Sequence, residues 1–342
     1  MDDEAARHLR ANIKASTRRK YEGHVRAYVA LCKATRQKFR FRYTQLARWC
    51  VFYVRNGYSW RSLGSHMAAF HKMAEEEGLK WPKAGSRTHR KLNRLITGIR
   101  KEVPGPEKKQ AKPLVKRWIK KMLAGLGIDT PEDWHTVRLA DLVPAARMLV
   151  AQECLMRMCE HRDGMKVGDV VGWEEMCMGK AEGRRAVILQ VPEVKDKLRT
   201  GQKRGGEMAN HKSVTSAAWA LRAMMARVHG PGAKAGDLLF PAVAENKVYK
   251  HTVGSETKFR KNLRTWAQEA GMTRTEANRI TTHSMRAGGA TDYLSSDVPT
   301  AWVQRQGGWL SDCFMIYYRP EIAEMGAMAR RLQTAEARML GE

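Results

Sequence analysis

Two stretches decide the reading of this chain: His283-Ser284-Met285-Arg286-Ala287-Gly288-Gly289-Ala290-Thr291, and Gly307-Gly308-Trp309-Leu310-Ser311-Asp312-Cys313-Phe314-Met315-Ile316-Tyr317-Tyr318-Arg319. On a helix, residues three apart share a face, so His283 and Arg286 can both point at one phosphate. A lone His-x-x-Arg is a weak signal, since a surface arginine and a satisfied histidine are the ordinary finding in a basic protein. Its neighbours strengthen it. Upstream run Met156-Arg157-Met158-Cys159-Glu160, at the expected end of a helix, and Lys195, just after a β-branched run at Arg185 to Val191 (RAVILQV).

Composition narrows the class of partner. The 342 residues carry 62 Lys+Arg against 35 Asp+Glu, a formal charge of +27. With 43% hydrophobic residues the chain can build cores, and its length suggests two of them. A folded, strongly basic protein points to a polyanion: nucleic acid first, an anionic membrane surface second. No run of about 18 uncharged apolar residues is present, and Met1-Asp2-Asp3-Glu4 does not read as a secretory signal. The expected place of action is inside the cell, with the DNA of the cytoplasm, nucleoid or nucleus. Cys32, Cys50, Cys154, Cys159, Cys177 and Cys313 lack metal-ligand spacing and read as core thiols in a reducing compartment.

Hydrophobic periodicity predicts four amphipathic helices over residues 16–100. Ser16 or Thr17 can cap the first, which buries Tyr21, Val25, Tyr28, Val29 and Cys32. Thr44 can start the second, with Leu46, Trp49, Cys50 and Tyr53 inside. Ser59 can cap the third, carrying Leu63, Met67, Phe70 and Met73. The fourth holds Leu92, Leu95, Ile96 and Ile99. A Pro104-Gly105-Pro106 break and a run of lysines follow. Beyond it, Pro113 suits the first turn of a helix, Thr130-Pro131-Glu132 opens another, and Pro144 begins one ending near Cys159. Strands are expected at Trp173 to Met178, Arg185 to Val191 and near Met208 to Val214. The rest reads as helical.

The order of arginine, strand lysine, His-x-x-Arg, tryptophan and tyrosine resembles the catalytic domain of the tyrosine recombinases, the phage integrase family. By motif the resemblance covers about residues 110 to 320. It implies a mainly α fold with a small antiparallel β-sheet: a helical, SAM-like core-binding domain at residues 1–103, a basic linker at 104–112, a mixed α/β catalytic domain at 113–320 and a tail helix at 321–342. It further implies a site-specific recombinase that cuts and rejoins duplex DNA through a 3′-phosphotyrosyl ester, serving integration, excision or transposition of a mobile element. The implied partner is double-stranded DNA with inverted-repeat core sites, bound by a homotetramer built from free monomers. No metal or small-molecule cofactor is implied, and neither a P-loop nor clustered acidic ligands are present. The alternatives are relaxation of DNA in the manner of a type IB topoisomerase and a non-catalytic basic DNA-binding protein. An RNA-binding structural protein ranks behind them, since no RNA module signature is present.

Resemblance also assigns roles. Arg157 and Arg286 hold the phosphate, His283 hydrogen-bonds it and helps to move the tyrosine proton, and Lys195 protonates the 5′-oxygen. Trp309 donates from its indole or buttresses the nucleophile, Tyr317. Three of these positions have rivals. Glu160, three residues after Arg157, matches the family's acidic position, but the spacing from Glu160 to Asp169 is one residue longer than usual, so Arg162 is the alternative. Lys197 and Lys203 compete with Lys195. Met315-x-Tyr317-x-Arg319 favours Tyr317, whereas counting nine residues on from Trp309 selects Tyr318.

Overall fold

The computed structural model describes residues 15–103, 110–179, 186–192, 203–209, 211–244 and 247–318. The chain forms two compact units, divided between Lys108 and Lys109. Among the described residues no helix is long and apolar enough to cross a membrane. The tail at 321–342 lies outside the described residues.

The first unit is helical. Its elements are α1 (Ala15–Ala34), α2 (Tyr43–Arg55), α3 (Leu63–Glu76) and α4 (Arg87–Glu102), with a 3₁₀ turn at Trp60–Ser62. Ser16 and Thr17 lie inside α1 rather than capping it, and α2 begins at Tyr43 without a side-chain cap. The Ser59 hydroxyl accepts from the Arg61 N–H, so it caps the 3₁₀ turn that leads into α3. The core is aromatic. Tyr28 packs 4.6 Å from Phe70 and 5.7 Å from Trp49, ring centre to ring centre, and its buried hydroxyl donates to the Arg40 carbonyl at 2.6 Å. Burying the ring while satisfying the hydroxyl is what makes tyrosine acceptable there.

The second unit is built around α6. Its helices are α5 (Lys116–Gly125), α6 (Leu139–Glu153), α7 (Trp173–Cys177), α8 (Ala217–Met224), α9 (Glu256–Glu269), α10 (Arg274–Asn278), α11 (Ser284–Ser295) and α12 (Thr300–Gly307). Two antiparallel hairpins accompany them: β1 (Ala186–Pro192) with β2 (Lys203–Ala209), and β3 (Pro241–Ala244) with β4 (Lys247–Val253). In the first, the register runs from Ala186 opposite Ala209 to Pro192 opposite Lys203. Val187, Leu189 and Val191 enter the core while Ile188 faces out, the alternation of a strand with one buried face. Helix α6 is buried nearly all round, as a central helix must be.

Several local expectations change. Trp173–Cys177 is a helix, because Trp173, Met176 and Cys177 fall at i, i+3 and i+4 and turn together to the core. Helix α5 starts at Lys116, not Pro113, since Val115 ahead of it is extended, with ψ of 157°, while the Leu114 N–H donates to the Ser284 carbonyl. Helix α6 starts at Leu139 and contains Pro144; burial on all sides outweighs the missing hydrogen bond. After Thr130-Pro131 comes only a 3₁₀ turn, Glu132–His135. The third strand runs over Lys203–Ala209 instead of 208–214, and β3–β4 occupies a region read as helical. Cys313 is exposed, unlike Cys32, Cys50, Cys154 and Cys177.

Candidate active site

The close approach of α11 to α6 positions the site. A Cβ on Gly288 would collide with the Leu114 carbonyl, and one on Gly289 with the Gln152 carbonyl. The glycine pair of the His283–Thr291 stretch therefore lets the α11 backbone touch two others, the segment ahead of α5 at Leu114 and the end of α6 at Gln152, a need its sequence alone did not disclose.

This approach delivers Arg286, on the first turn of α11, into the interior with 1% of its surface exposed. One terminal nitrogen donates to the Leu155 carbonyl, and the other donates to the Gly307 carbonyl at 2.8 Å. The guanidinium carbon lies 3.9 Å from the centre of the Trp309 ring and 5.5 Å from that of Tyr317. Two carbonyls and a ring face thus hold a planar cation against the aromatic pair.

Both carbonyls come from unusual turns. Leu155, buried after the end of α6, has φ of +49°, a left-handed conformation costing an L-residue roughly 1–2 kcal/mol. The reversal aims its carbonyl at Arg286 and places Arg157 two residues further on. At the second turn, a Cβ on Gly307 would strike the Trp309 ring, and Gly308 ends α12 with φ of +62°. Gly-Gly-Trp is the sequence that folds an indole back onto its own turn.

Arg157 is partly exposed and is held by Glu160, which is fully buried. One Glu160 oxygen takes the Arg157 guanidinium at 2.8 Å and the other its backbone N–H at 2.7 Å. Arg162 pairs instead with Glu256 of α9 at 3.8 Å. Residues Glu160–Gly164 form a π turn, which absorbs one extra residue without shifting what flanks it. That turn accounts physically for the long spacing from Glu160 to Asp169. It also buries His161, whose Nδ1 accepts from the Arg147 Nε–H at 2.8 Å; burial, then the Arg147 charge, push the His161 pKa well below the usual range.

His283 occupies the N-cap of α11, outside the helix proper, and is exposed while Arg286 is buried. Its N–H donates to the Thr281 hydroxyl at 3.2 Å. Its backbone is already in the αR region and its carbonyl accepts from the Ala287 N–H at 3.0 Å, so the helical turn that separates it from Arg286 is intact.

Residues Asp312–Tyr317 form a 3₁₀ turn where a helix was expected. Tyr317 ends it, half-buried, its ring centre 5.5 Å from that of Trp309, with the Thr291 hydroxyl donating to its carbonyl at 3.3 Å. Tyr318 follows in extended backbone. Arg286, Trp309 and Tyr317 are thus brought together, with Arg157 joined to them through the Leu155 turn. Lys195 and Lys197 fall outside the described residues, and Lys203 opens β2.

A model of the phage integrase family matches residues 128–323. The chain belongs to that family. It is a site-specific tyrosine recombinase, a DNA-cleaving and rejoining enzyme, and its fold is the expected mainly helical one with small antiparallel sheets. Two solved structures share that fold. A XerH site-specific recombinase bound to a palindromic difH substrate is 14% identical, with a TM-score of 0.51 over 88% of this chain and 73% of that one. The Tn1549 transposon integrase in complex with transposon right end DNA is 14% identical, with a TM-score of 0.51 over 97% and 98%. No curated relative matches the chain. In this recombinase the sequence reading passed over Leu155, Glu153 and Gln306. Gln306 alone carried a signal, as a polar residue three after Val303 on the buried face of α12.

Proposed function

We propose that this recombinase binds duplex DNA at paired inverted repeats and exchanges strands through a covalent link between Tyr317 and the 3′-phosphate. The packing of Arg286 against both Trp309 and Tyr317 is the observation that supports this reading, because it puts a guanidinium beside one of the two candidate tyrosines.

In the forward step the Tyr317 oxygen attacks phosphorus, the P–O bond to the 5′-oxygen breaks, and the phosphodiester energy is kept in the phosphotyrosyl ester. The phenolic proton leaves toward His283, and a hairpin lysine, Lys195 by preference, supplies a proton to the departing 5′-oxygen. Arg157 and Arg286 neutralise the charge that builds on the non-bridging oxygens. Guanidinium suits this task because it is planar, always charged and able to donate two N–H groups to one phosphate. Glu160 orients the first arginine, and the Leu155 and Gly307 carbonyls orient the second. Rejoining is the reverse, with a 5′-hydroxyl from the partner duplex as nucleophile.

The net charge of +27 supports a phosphate-lined partner and a strong salt dependence, with log affinity falling by roughly 0.9 per contacted phosphate for each unit of log salt. Four copies on two duplexes would supply the four tyrosines that a full exchange requires. The test uses DNA flanking the gene, nicked beside the scissile position so that religation is blocked. An SDS-resistant adduct on the 3′ side, together with joining of two such sites, is the expected result. Adduct with relaxation of plasmid DNA but no joining would indicate a topoisomerase; binding without adduct would overturn the catalytic reading.

A further inference from the structure

Gln306 is buried in the last turn of α12, with 4% of its surface exposed, yet no part of the chemistry above calls on it. Its amide reads the free edge of a strand. The Glu207 N–H of β2 donates to Gln306 Oε1 at 3.3 Å, and Gln306 Nε2 donates to the Glu207 carbonyl at 2.9 Å. This is the two-bond pattern of a neighbouring strand, made by a side chain. Nε2 also donates to the Glu153 carbonyl at 3.2 Å, at the end of α6, and that same carbonyl accepts from the Tyr293 hydroxyl at 2.8 Å.

The opposite edge of the hairpin is held as well: Val170 bridges Leu189, and the Val171 N–H donates to the Ile188 carbonyl at 3.0 Å. Next to Glu207, a Cβ added to Gly206 would stand 3.1 Å from the Cys154 sulfur, so β2 is seated directly on the turn that leads to Arg157. A two-stranded hairpin is marginal by itself and takes its position from such attachments. On the α12 side, Gln306 immediately precedes Gly307 and Gly308, the turn that carries the Arg286 acceptor and Trp309.

We infer that Gln306 is a positioning residue that locks the β1–β2 hairpin, bearer of the leaving-group lysine, in register with the Arg286–Trp309–Tyr317 cluster. The inference rests on the proposed mechanism. Attack by Tyr317 and protonation of the 5′-oxygen must coincide, and the acid and the nucleophile stand on different elements. Among the described residues, Gln306 ties β2 to the turn that carries Trp309 and to the Glu153 carbonyl. Its loss should slow departure of the 5′-oxygen more than attack itself.

Leaving-group chemistry separates the two effects. A 5′-bridging sulfur at the scissile phosphate departs as thiolate and needs no proton, so it bypasses the lysine. Adduct formation is measured with the full-length protein on nicked duplexes that carry oxygen or sulfur at that position. The variants are Gln306→Met, which keeps length and apolar contact, and Gln306→Asn, which retracts the amide by one methylene. Each should lower the rate on the oxygen duplex about tenfold or more and on the sulfur duplex by less than about threefold, the scale of a small misplacement of a catalytic group. A melting curve accompanies each variant, and whichever keeps the native melting temperature carries the comparison. Equal losses on the two duplexes, no loss on either, or a failure of both variants to fold would reduce Gln306 to a structural residue and overturn the inference. No adduct from the native protein on either duplex would overturn the recombinase mechanism and this inference with it.

Discussion

The guanidinium of Arg286 lies 3.9 Å from the centre of the Trp309 indole while donating to the carbonyls of Leu155 and Gly307. One side chain therefore joins the helix that bears it, the turn that leads to Arg157 and the turn that leads to Tyr317. Its energetic role follows from burial: a buried cation is tolerable only where fixed dipoles and ring faces replace water.

Replacing it should therefore damage both stability and chemistry. Arg286→Lys keeps the charge but cannot reach both carbonyls in one plane, leaving at least one acceptor unpaired at about 1–3 kcal/mol. Adduct formation should fall by about two orders of magnitude or more, the scale set by loss of a preorganised donor to a developing oxyanion. Thermal melting and the adduct assay check the two effects separately.

Gly289→Ala tests the close approach of α11 to α6. The new methyl collides with backbone at Gln152, which cannot retreat as a side-chain tip can. Overpacking of this kind costs typically 1–3 kcal/mol, so a lowered denaturation midpoint is expected. An unchanged midpoint would mean that the helices separate freely.

Glu160→Gln loosens the hold on Arg157. The carboxylate accepts from both the guanidinium and the backbone N–H; an amide of the same shape provides one acceptor and one donor. Duplex affinity should change little while the adduct rate drops about tenfold or more, as for other residues that orient a catalytic group. The parallel variant Arg162→Gln, which removes the pairing with Glu256, should leave that rate near the native value.

Acid should weaken the helical unit. His66 is buried, its ring stacked 3.7 Å from that of His24, and neither of its ring nitrogens has a hydrogen-bond partner among the described residues. Burial first, then the His24 and Lys20 charges, lower its pKa to about 4. A depressed histidine pKa means that the unfolded chain binds the proton more readily. Stability is therefore full above the ordinary histidine value near 6.5 and is lost as pH falls from there toward about 4. Melting temperature followed across that window should decline, and His66→Phe should flatten the decline.

Much of this was legible in the sequence because it depends on spacing. The four front helices follow from apolar residues at 3.6-residue intervals, and RAVILQV alternates as β1 does. Other features are tertiary. Trp173–Cys177 is too short for strand and helix patterns to separate, and Lys247–Val253 alternates too weakly to stand out among charged residues. Nothing local marks Leu155 as left-handed; the demand comes from Arg286, far along the chain. The π turn at Glu160–Gly164 was visible only as one residue too many.

The most direct test of the account is the identity of the tyrosine that becomes covalently joined to DNA. Tyr317 packs against Trp309 and Arg286, while Tyr318 lies in the extended backbone beyond the 3₁₀ turn. On a nicked suicide duplex, Tyr317→Phe should bind DNA with native affinity and form no adduct, because the substitution removes only the attacking oxygen. Tyr318→Phe should still form adduct at a rate within about threefold of the native one, its ring being spared any part in the bond made. Adduct that persists in Tyr317→Phe and vanishes in Tyr318→Phe would contradict the central claim.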